Sequence, residues 1–153
     1  MITTLYHMYK VASVDVRIEL EDGPDQATQD ALSDGLDRYN EAHIGPDPSS
    51  PMWIVARNPD GVVIGGLHGV VLRTWFLVDW LWVDDAARGS GLGSSLLRKG
   101  EQAAADKGCT RAYLNIFSFQ GPNLYRRQGY EVFGELEGFP VPSDNYRERM
   151  SVN

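Results

Sequence analysis

The segment WFLVDWLWVDDAARGSGLGS, residues Trp75–Ser94, decides the fold class of this 153-residue chain. Its first nine residues are apolar on both faces apart from Asp79, which predicts a central β-strand covered on both sides. Its last residues place glycines at alternate positions, and an amphipathic pattern over residues 91–107 predicts a helix directly after them. The segment therefore predicts a buried strand, a glycine-rich turn and a helix in this order.

The glycines of this turn, Gly89, Gly91 and Gly93, let the backbone bend sharply and leave its N–H groups uncovered. These N–H groups add to the positive end of the following helix, which makes a ready cradle for a pyrophosphate. Arg88 adds a fixed positive charge beside them. The dinucleotide fingerprint and the nucleoside-triphosphate loop both fail to match, because the glycine and the lysine that they require are missing. On glycine content alone, a loop that binds no phosphate is an equal alternative.

Outward from this segment, the chain alternates strands and helices in the order β-α-β-β-β-α-β-α-β-β. This order predicts an α/β (α+β) fold on a mixed, mostly antiparallel sheet of about six or seven strands flanked by helices. The chain has enough residues for one core and too few for two, so residues 1–153 are predicted to form a single domain. Strands are predicted over 11–20, 52–57, 62–72, 75–83, 111–117, 130–136 and 146–152, and helices between Asp25 and Gly45, over 91–107 and over 122–128. The glycines of the 62–72 strand indicate a β-bulge or a close approach of two backbones: Gly65, Gly66 and Gly69.

Composition excludes several classes of function. Fourteen Lys and Arg against 21 Asp and Glu give a net charge of −7, whereas nucleic acids and anionic membranes need a basic surface. The longest apolar stretch is half of a membrane span and the N-terminus resembles no targeting signal, so we expect the cytoplasm. A single cysteine, Cys109, and three histidines without tight spacing argue against a structural metal site. His43 and His68 have no recognisable partner and are assigned no role.

Two patterns in the chain resemble a known family. Arg88-x-x-Gly91-x-Gly93, directly after the strand residues 81–83, resembles the acetyl-coenzyme A signature of the GCN5-related N-acetyltransferases. The predicted order of elements also fits that family's fold. The resemblance covers most of the chain, is strongest over residues 79–134 and looks like a bacterial branch of the family.

The second pattern is Ser118-x-x-Gly121-x-x-x-Tyr125, followed by Gly129-Tyr130. It resembles the family's Asn-x-x-Ala-x-x-x-Tyr and the Gly-Phe that comes three residues later. The chain departs from the family at Ser118, where the asparagine is usual, and at Gly121, where the alanine is usual and Pro122 follows. At Ser118 we expect a contact to the pantetheine arm to be lost or made differently. At Gly121, followed by Pro122, we expect the helix to begin in a different direction.

The resemblance implies where coenzyme A would bind. Its pantetheine arm would pair with the backbone of the central strand like an additional strand, and its pyrophosphate would sit on the N–H groups of the glycine turn. The cofactor-binding residues expected on this basis are Leu81, Trp82, Val83, Arg88, Gly89, Ser90, Gly91, Leu92, Gly93 and Ser94.

Two residues are the candidates for proton transfer. Asp79 stands inside an apolar strand, so we expect it to be buried with a raised pKa, which suits a general base. The alternative is a wet site or a structural hydrogen bond. Tyr125 matches the tyrosine with which the family protonates the departing thiolate, and its alternative is an aromatic residue of the core. Alternate residues of a strand share a face, so three tryptophans are candidates for lining an acceptor pocket, with core packing the better expectation for at least one of them: Trp75, Trp80 and Trp82.

The resemblance implies an acetyl-coenzyme A-dependent N-acetyltransferase. It would transfer the acetyl group to a primary amine of a small acceptor by direct attack, without a metal and without a covalent enzyme intermediate. Two alternatives stay open: a non-catalytic sensor module that binds coenzyme A on the same fold, and an interaction protein whose glycine loop is empty. Candidate acceptors are a polyamine-like or aminoglycoside-like amine, an amino acid and a protein N-terminus. The acidic composition favours a cationic amine, and a homodimer is left open as the assembly.

Overall fold

The structure is a computed structural model and describes residues 8–11, 14–134 and 147–151. Within these ranges the chain forms eight strands and three α-helices. The strands are β1 Met8–Val11, β2 Val14–Arg17, β3 Ser50–Arg57, β4 Val63–Leu72, β5 Trp75–Val83, β6 Arg111–Phe117, β7 Glu131–Gly134 and β8 Arg147–Ser151. The helices are α1 Gln26–Ile44, α2 Leu92–Ala105 and α3 Pro122–Arg127. None of these helices is both long and apolar enough to span a bilayer.

Six of the strands form one mixed sheet in the order β3-β4-β5-β6-β8-β7. Its neighbours are antiparallel except for β5 and β6, which are parallel and are joined through α2. This arrangement confirms the predicted fold class. Leu67 and Phe76 of the sheet pack around Gly100 of α2, and the core continues through Leu97 and Leu114.

The chain divides into two compact units, residues 1–46 and 47–153. In the first unit, β1 and β2 form an antiparallel pair in which Val11 lies opposite Val14. The prediction of one strand over 11–20 is therefore wrong, because alternating residues indicate faces and carry no information about where a chain reverses. Helix α1 begins as predicted, since the Asp25 carboxylate accepts a hydrogen bond from the Thr28 N–H at 2.8 Å. The single domain of 153 residues stays a prediction.

The second unit contains an irregularity that matters for the site. Gly69 of β4 lies opposite Val78 of β5, whereas His68 lies opposite Trp80, so Asp79 is an additional residue in β5. A Cβ at Gly69 would lie 2.4 Å from Cε2 of Phe76 and 2.6 Å from the carbonyl oxygen of Leu77, so only glycine fits. Of the two alternatives predicted for this strand, the close approach is present at Gly69, whereas the bulge beside it lies in the partner strand β5.

Candidate active site

The two central strands separate halfway along the sheet. β5 and β6 pair only where Trp75–Val78 run beside Arg111–Leu114. Beyond that point β5 continues along β4 to Val83, while β6 continues along β8 to Phe117. Among the described strands, residues 79–83 therefore have a neighbour on one side only. A strand edge of this kind presents N–H and C=O groups to an extended ligand.

The glycine turn lies directly after this open strand end. The Asp84 carboxylate accepts a hydrogen bond from the Ala86 N–H at 2.9 Å and begins a short 3-10 turn. Gly89 and Gly91 then have φ angles of +75° and +87°, in the left-handed region that favours glycine. A Cβ at either position would meet no atom within 4 Å, so the turn is open on its outer side.

Gly91 is the N-cap of α2 and supplies no side-chain cap. The first N–H groups of a helix have no intrahelical acceptor. In the part of the chain that the structure describes, no protein acceptor binds the N–H of Gly93 or of Ser94. These amides are available to an anion at the positive end of the helix, as the sequence predicts.

Arg88 lies beside the turn, at the end of β5. Its Nη2 is 2.7 Å from Oδ1 of Asp85, and its Nε donates to the carbonyl oxygen of Val83 at 3.3 Å. More than half of the side chain is exposed. The guanidinium of Arg88 therefore lies next to the open strand end, and its positive charge is partly compensated by the Asp85 carboxylate.

Asp79 is not buried, so that prediction is wrong. The bulge places Asp79 and Trp80 together on the open face of the sheet, and the side chain of Asp79 is 42% exposed. Its Oδ2 accepts a hydrogen bond from Nδ1 of His68 at 3.1 Å. An ionised carboxylate can only accept, so the bond places the imidazole proton on Nδ1. The candidacy of Asp79 as a base therefore rests on its position and not on burial.

His68 is the residue that the sequence reasoning missed. It belongs to an aromatic cluster that crosses three strands, with Trp53 opposite it on β3 and Trp80 opposite it on β5. The ring centroid of His68 is 4.1 Å from that of Trp53 and 4.9 Å from that of Trp80. Both indoles are well exposed, at 59% and 60%, so the prediction that β5 is covered on both faces is wrong for its second half.

Trp75 lies elsewhere. Its ring contacts Tyr113, with 5.9 Å between the centroids, and the Arg111 guanidinium lies over it at 5.3 Å. Of the three tryptophans predicted to line a pocket, the structure therefore places Trp80 and Trp82 on the open second half of β5 and Trp75 on the paired first half.

Tyr125 is buried in α3, with 5% of its surface exposed. Burial raises the pKa of its hydroxyl to about 12, so the group holds its proton at neutral pH. Its ring makes an edge contact with Tyr130, whose hydroxyl donates to Oε1 of Glu101 at 2.7 Å. Among the described residues, no hydrogen bond satisfies the Tyr125 hydroxyl itself.

The glycine turn, β5 and α3 meet at one point. A Cβ built on Gly93 would lie 3.5 Å from the Leu124 side chain and 3.7 Å from that of Val83. Leu124 precedes Tyr125, so the helix that carries the predicted acid packs beside the predicted phosphate cradle. The glycine turn and the helix that carries Tyr125 are about thirty residues apart in the sequence, yet they lie side by side where β5 and β6 separate.

A recess of about 180 Å³ lies at the other end of α2, with Phe76, Ala104 and Cys109 among its walls. It contains none of the predicted site residues. Burial raises the pKa of the Cys109 thiol, which makes it a poor nucleophile. No group of three or more His, Cys, Asp or Glu within the described ranges is placed to hold a metal ion.

Comparisons with known proteins point to one family. The model of the acetyltransferase (GNAT) family matches residues 16–130. An acetyltransferase of Agrobacterium fabrum is 35% identical over 117 residues, covering 76% of this chain and 85% of that protein. Blasticidin-S acetyltransferase of Streptomyces morookaense is 41% identical over 81 residues, covering 52% of this chain and 60% of that protein. The crystal structure of an acetyltransferase from Bacillus cereus is similar with a TM-score of 0.79 and 27% identity, covering 88% of this chain and 96% of that one.

Proposed function

The chain belongs to the acetyltransferase (GNAT) family, and from this premise we propose that it acetylates a primary amine of a small acceptor by direct attack. Members of this family use acetyl-coenzyme A as co-substrate. The observation that carries the proposal is the separation of β5 from β6 beside the open glycine turn. The blasticidin-S acetyltransferase among the relatives favours a small-molecule acceptor here as well.

The residues present fit coenzyme A. The open edge of Leu81, Trp82 and Val83 offers backbone groups to the amides of a pantetheine arm. The free N–H groups at the start of α2, with Arg88 beside the turn, suit a pyrophosphate. When bound, acetyl-coenzyme A supplies a thioester carbonyl as the electrophile.

Two side chains of this protein carry out the proton transfers. An amine reaches a protein at neutral pH as an ammonium and must lose a proton before it attacks. Asp79 takes that proton, directly or through water, because its carboxylate is accessible at the bulge. Tyr125 donates a proton to the leaving sulfur, because burial keeps its hydroxyl protonated. The second proton that the nitrogen loses on forming the amide restores this hydroxyl, directly or through water. Backbone N–H groups on the open edge of β5 would stabilise negative charge on the thioester carbonyl oxygen.

The experiment compares Tyr125→Phe with its neighbour variant Tyr130→Phe. Wild-type protein is first screened for acetyl-coenzyme A consumption across a panel of amines. With the best acceptor, Tyr125→Phe should lower kcat by about 10²- to 10⁴-fold, the usual contribution of a general acid. Tyr130→Phe removes a neighbouring buried hydroxyl, which is bonded to Glu101 and lies outside the proposed chemistry, so it should retain kcat.

Calorimetry with coenzyme A separates binding from turnover. The Kd of Tyr125→Phe should equal that of the wild type, because the hydroxyl acts on the leaving sulfur. Unchanged acetyl transfer in both Tyr125→Phe and Asp79→Asn would reject the proton-transfer roles. Tight binding of coenzyme A without consumption on any amine would instead favour the sensor module.

A further inference from the structure

We propose that Trp53, Trp80 and Asp79 form a binding site for an alkylammonium group on the exposed face of β3, β4 and β5. This inference rests on the proposed function, since the ammonium would be that of the acceptor amine. It adds the residues that recognise the cation and the physical basis on which they select it.

The two indoles supply the aromatic part of the site. Trp53 and Trp80 lie edge to face, with 5.7 Å between their centroids, and each keeps more than half of its surface exposed. A cation within about 6 Å of a tryptophan centroid is attracted by the negative face of the ring, and tryptophan is the best of the aromatic side chains for this contact. Exposed apolar side chains gathered in one patch of a protein surface also mark a binding site.

Asp79 supplies the charge. One carboxylate oxygen is held by Nδ1 of His68, whose side chain is only 13% exposed beneath the two indoles. The hydrogen bond holds the carboxylate against His68, whose ring contacts both indoles, and part of the Asp79 side chain stays open to solvent. A fixed negative charge beside two aromatic rings favours a cation over an uncharged ligand of the same size.

The same strand contains an internal control. Trp75, at the paired end of β5, already has the Arg111 guanidinium over its ring at 5.3 Å. Its exposure is lower than that of Trp80, and no carboxylate of the described chain forms a hydrogen bond or an ion pair beside it. An ammonium added to the solution should therefore bind at Trp53 and Trp80 and not at Trp75.

The experiment uses the tetramethylammonium ion, with tert-butanol as its uncharged counterpart of similar size. The chain has four tryptophans, so a nitrogen–proton correlation spectrum shows four indole signals, which single Trp→Phe variants assign. At constant ionic strength, tetramethylammonium should shift the signals of Trp53 and Trp80 along one saturable curve and leave that of Trp75 in place. Binding of tert-butanol should be at least about fivefold weaker.

Two aspartate variants test the charge. Asp79→Asn should weaken tetramethylammonium binding about fivefold or more, whereas Asp60→Asn, the same change in an exposed turn, should leave it unchanged. Equal shifts with both probes, shifts confined to Trp75 or Trp82, or no saturation would overturn the inference. Tetramethylammonium has no N–H and cannot be acetylated, so this result is independent of turnover. Acetyl transfer without probe binding would reject only the site, and probe binding without acetyl transfer would reject only the proposed function.

Discussion

The two halves of β5 differ although their sequences look alike. Trp75–Val78 pair with strands on both sides and include Phe76, one of the most deeply buried side chains of the described core. Residues 80–83 pair with β4 alone and expose Trp80 and Trp82, and Asp79 before them is the unpaired residue of the bulge. The loss of the β6 neighbour, the bulge and the change in exposure all occur after Val78.

The difference shows that the apolar residues of one strand can have two functions. In the first half, apolar side chains stabilise the sheet by burial. In the second half, the backbone edge lacks a second neighbour and the indoles are exposed, so both are accessible to a ligand. The neighbouring strands, and not the hydrophobicity of β5 itself, decide which half is which.

The largest expected effect comes from a substitution in the buried first half of β5. Phe76→Ala should lower the free energy of unfolding by about 3–5 kcal/mol, because it leaves a cavity between the sheet and α2. Trp82→Ala removes a larger side chain from the open end, yet it should cost only about 1–2 kcal/mol, since half of Trp82 is already exposed to solvent. Urea unfolding of both variants measures the difference. Equal losses would show that the open half of β5 is core as well.

A smaller effect is expected at the bulge that divides the two halves. Gly69→Ala should cost about 1–3 kcal/mol, because its Cβ would overlap the Phe76 ring and the Leu77 carbonyl oxygen. Gly66→Ala is the matched control in the same strand. Its Cβ would lie 3.1 Å from the carbonyl oxygen of Ile54, so a small local shift accommodates it. The urea midpoints of the two variants test this order, and a Gly66→Ala protein less stable than Gly69→Ala would contradict it.

Some of the features that distinguish the two halves of β5 can be predicted from the sequence, and others cannot. The bounds of β5 and β6, the glycine turn and the helix begun by Pro122 are found where local patterns predict them. The bulge at Asp79 depends on how Gly69 and His68 pair with β5, and pairing between strands is not a local property. The exposure of Asp79 and its bond to His68 therefore escaped prediction, as did the chain reversal between β1 and β2.

Tyr125, the proposed general acid, is buried as deeply as the core. Its pKa rises from 10.0 to about 12 on folding, so the unfolded chain loses this proton first. The resulting stability is fully present below pH 10 and is lost as the pH rises toward 12, at about 1.4 kcal/mol per pH unit for one tyrosine.

Tyr125→Phe should therefore lose less stability than the wild type between about pH 9 and pH 11. The remaining decline comes in part from Tyr130, whose pKa is also raised by burial and by the Glu101 carboxylate. Urea unfolding across this range measures the two slopes. Parallel slopes would mean that Tyr125 ionises as easily in the folded protein as in the unfolded chain.

The most direct test of the account is residue-resolved amide hydrogen exchange of the wild-type protein with and without saturating coenzyme A. Exchange should slow at residues 80–83 and 89–94, where coenzyme A would pair with the open strand edge and the free amides of the turn. No change is expected over Trp75–Val78, whose backbone is already paired on both sides. Slower exchange confined to the recess around Cys109, or no change at any of these residues, would contradict the claim that the open half of β5 is the site.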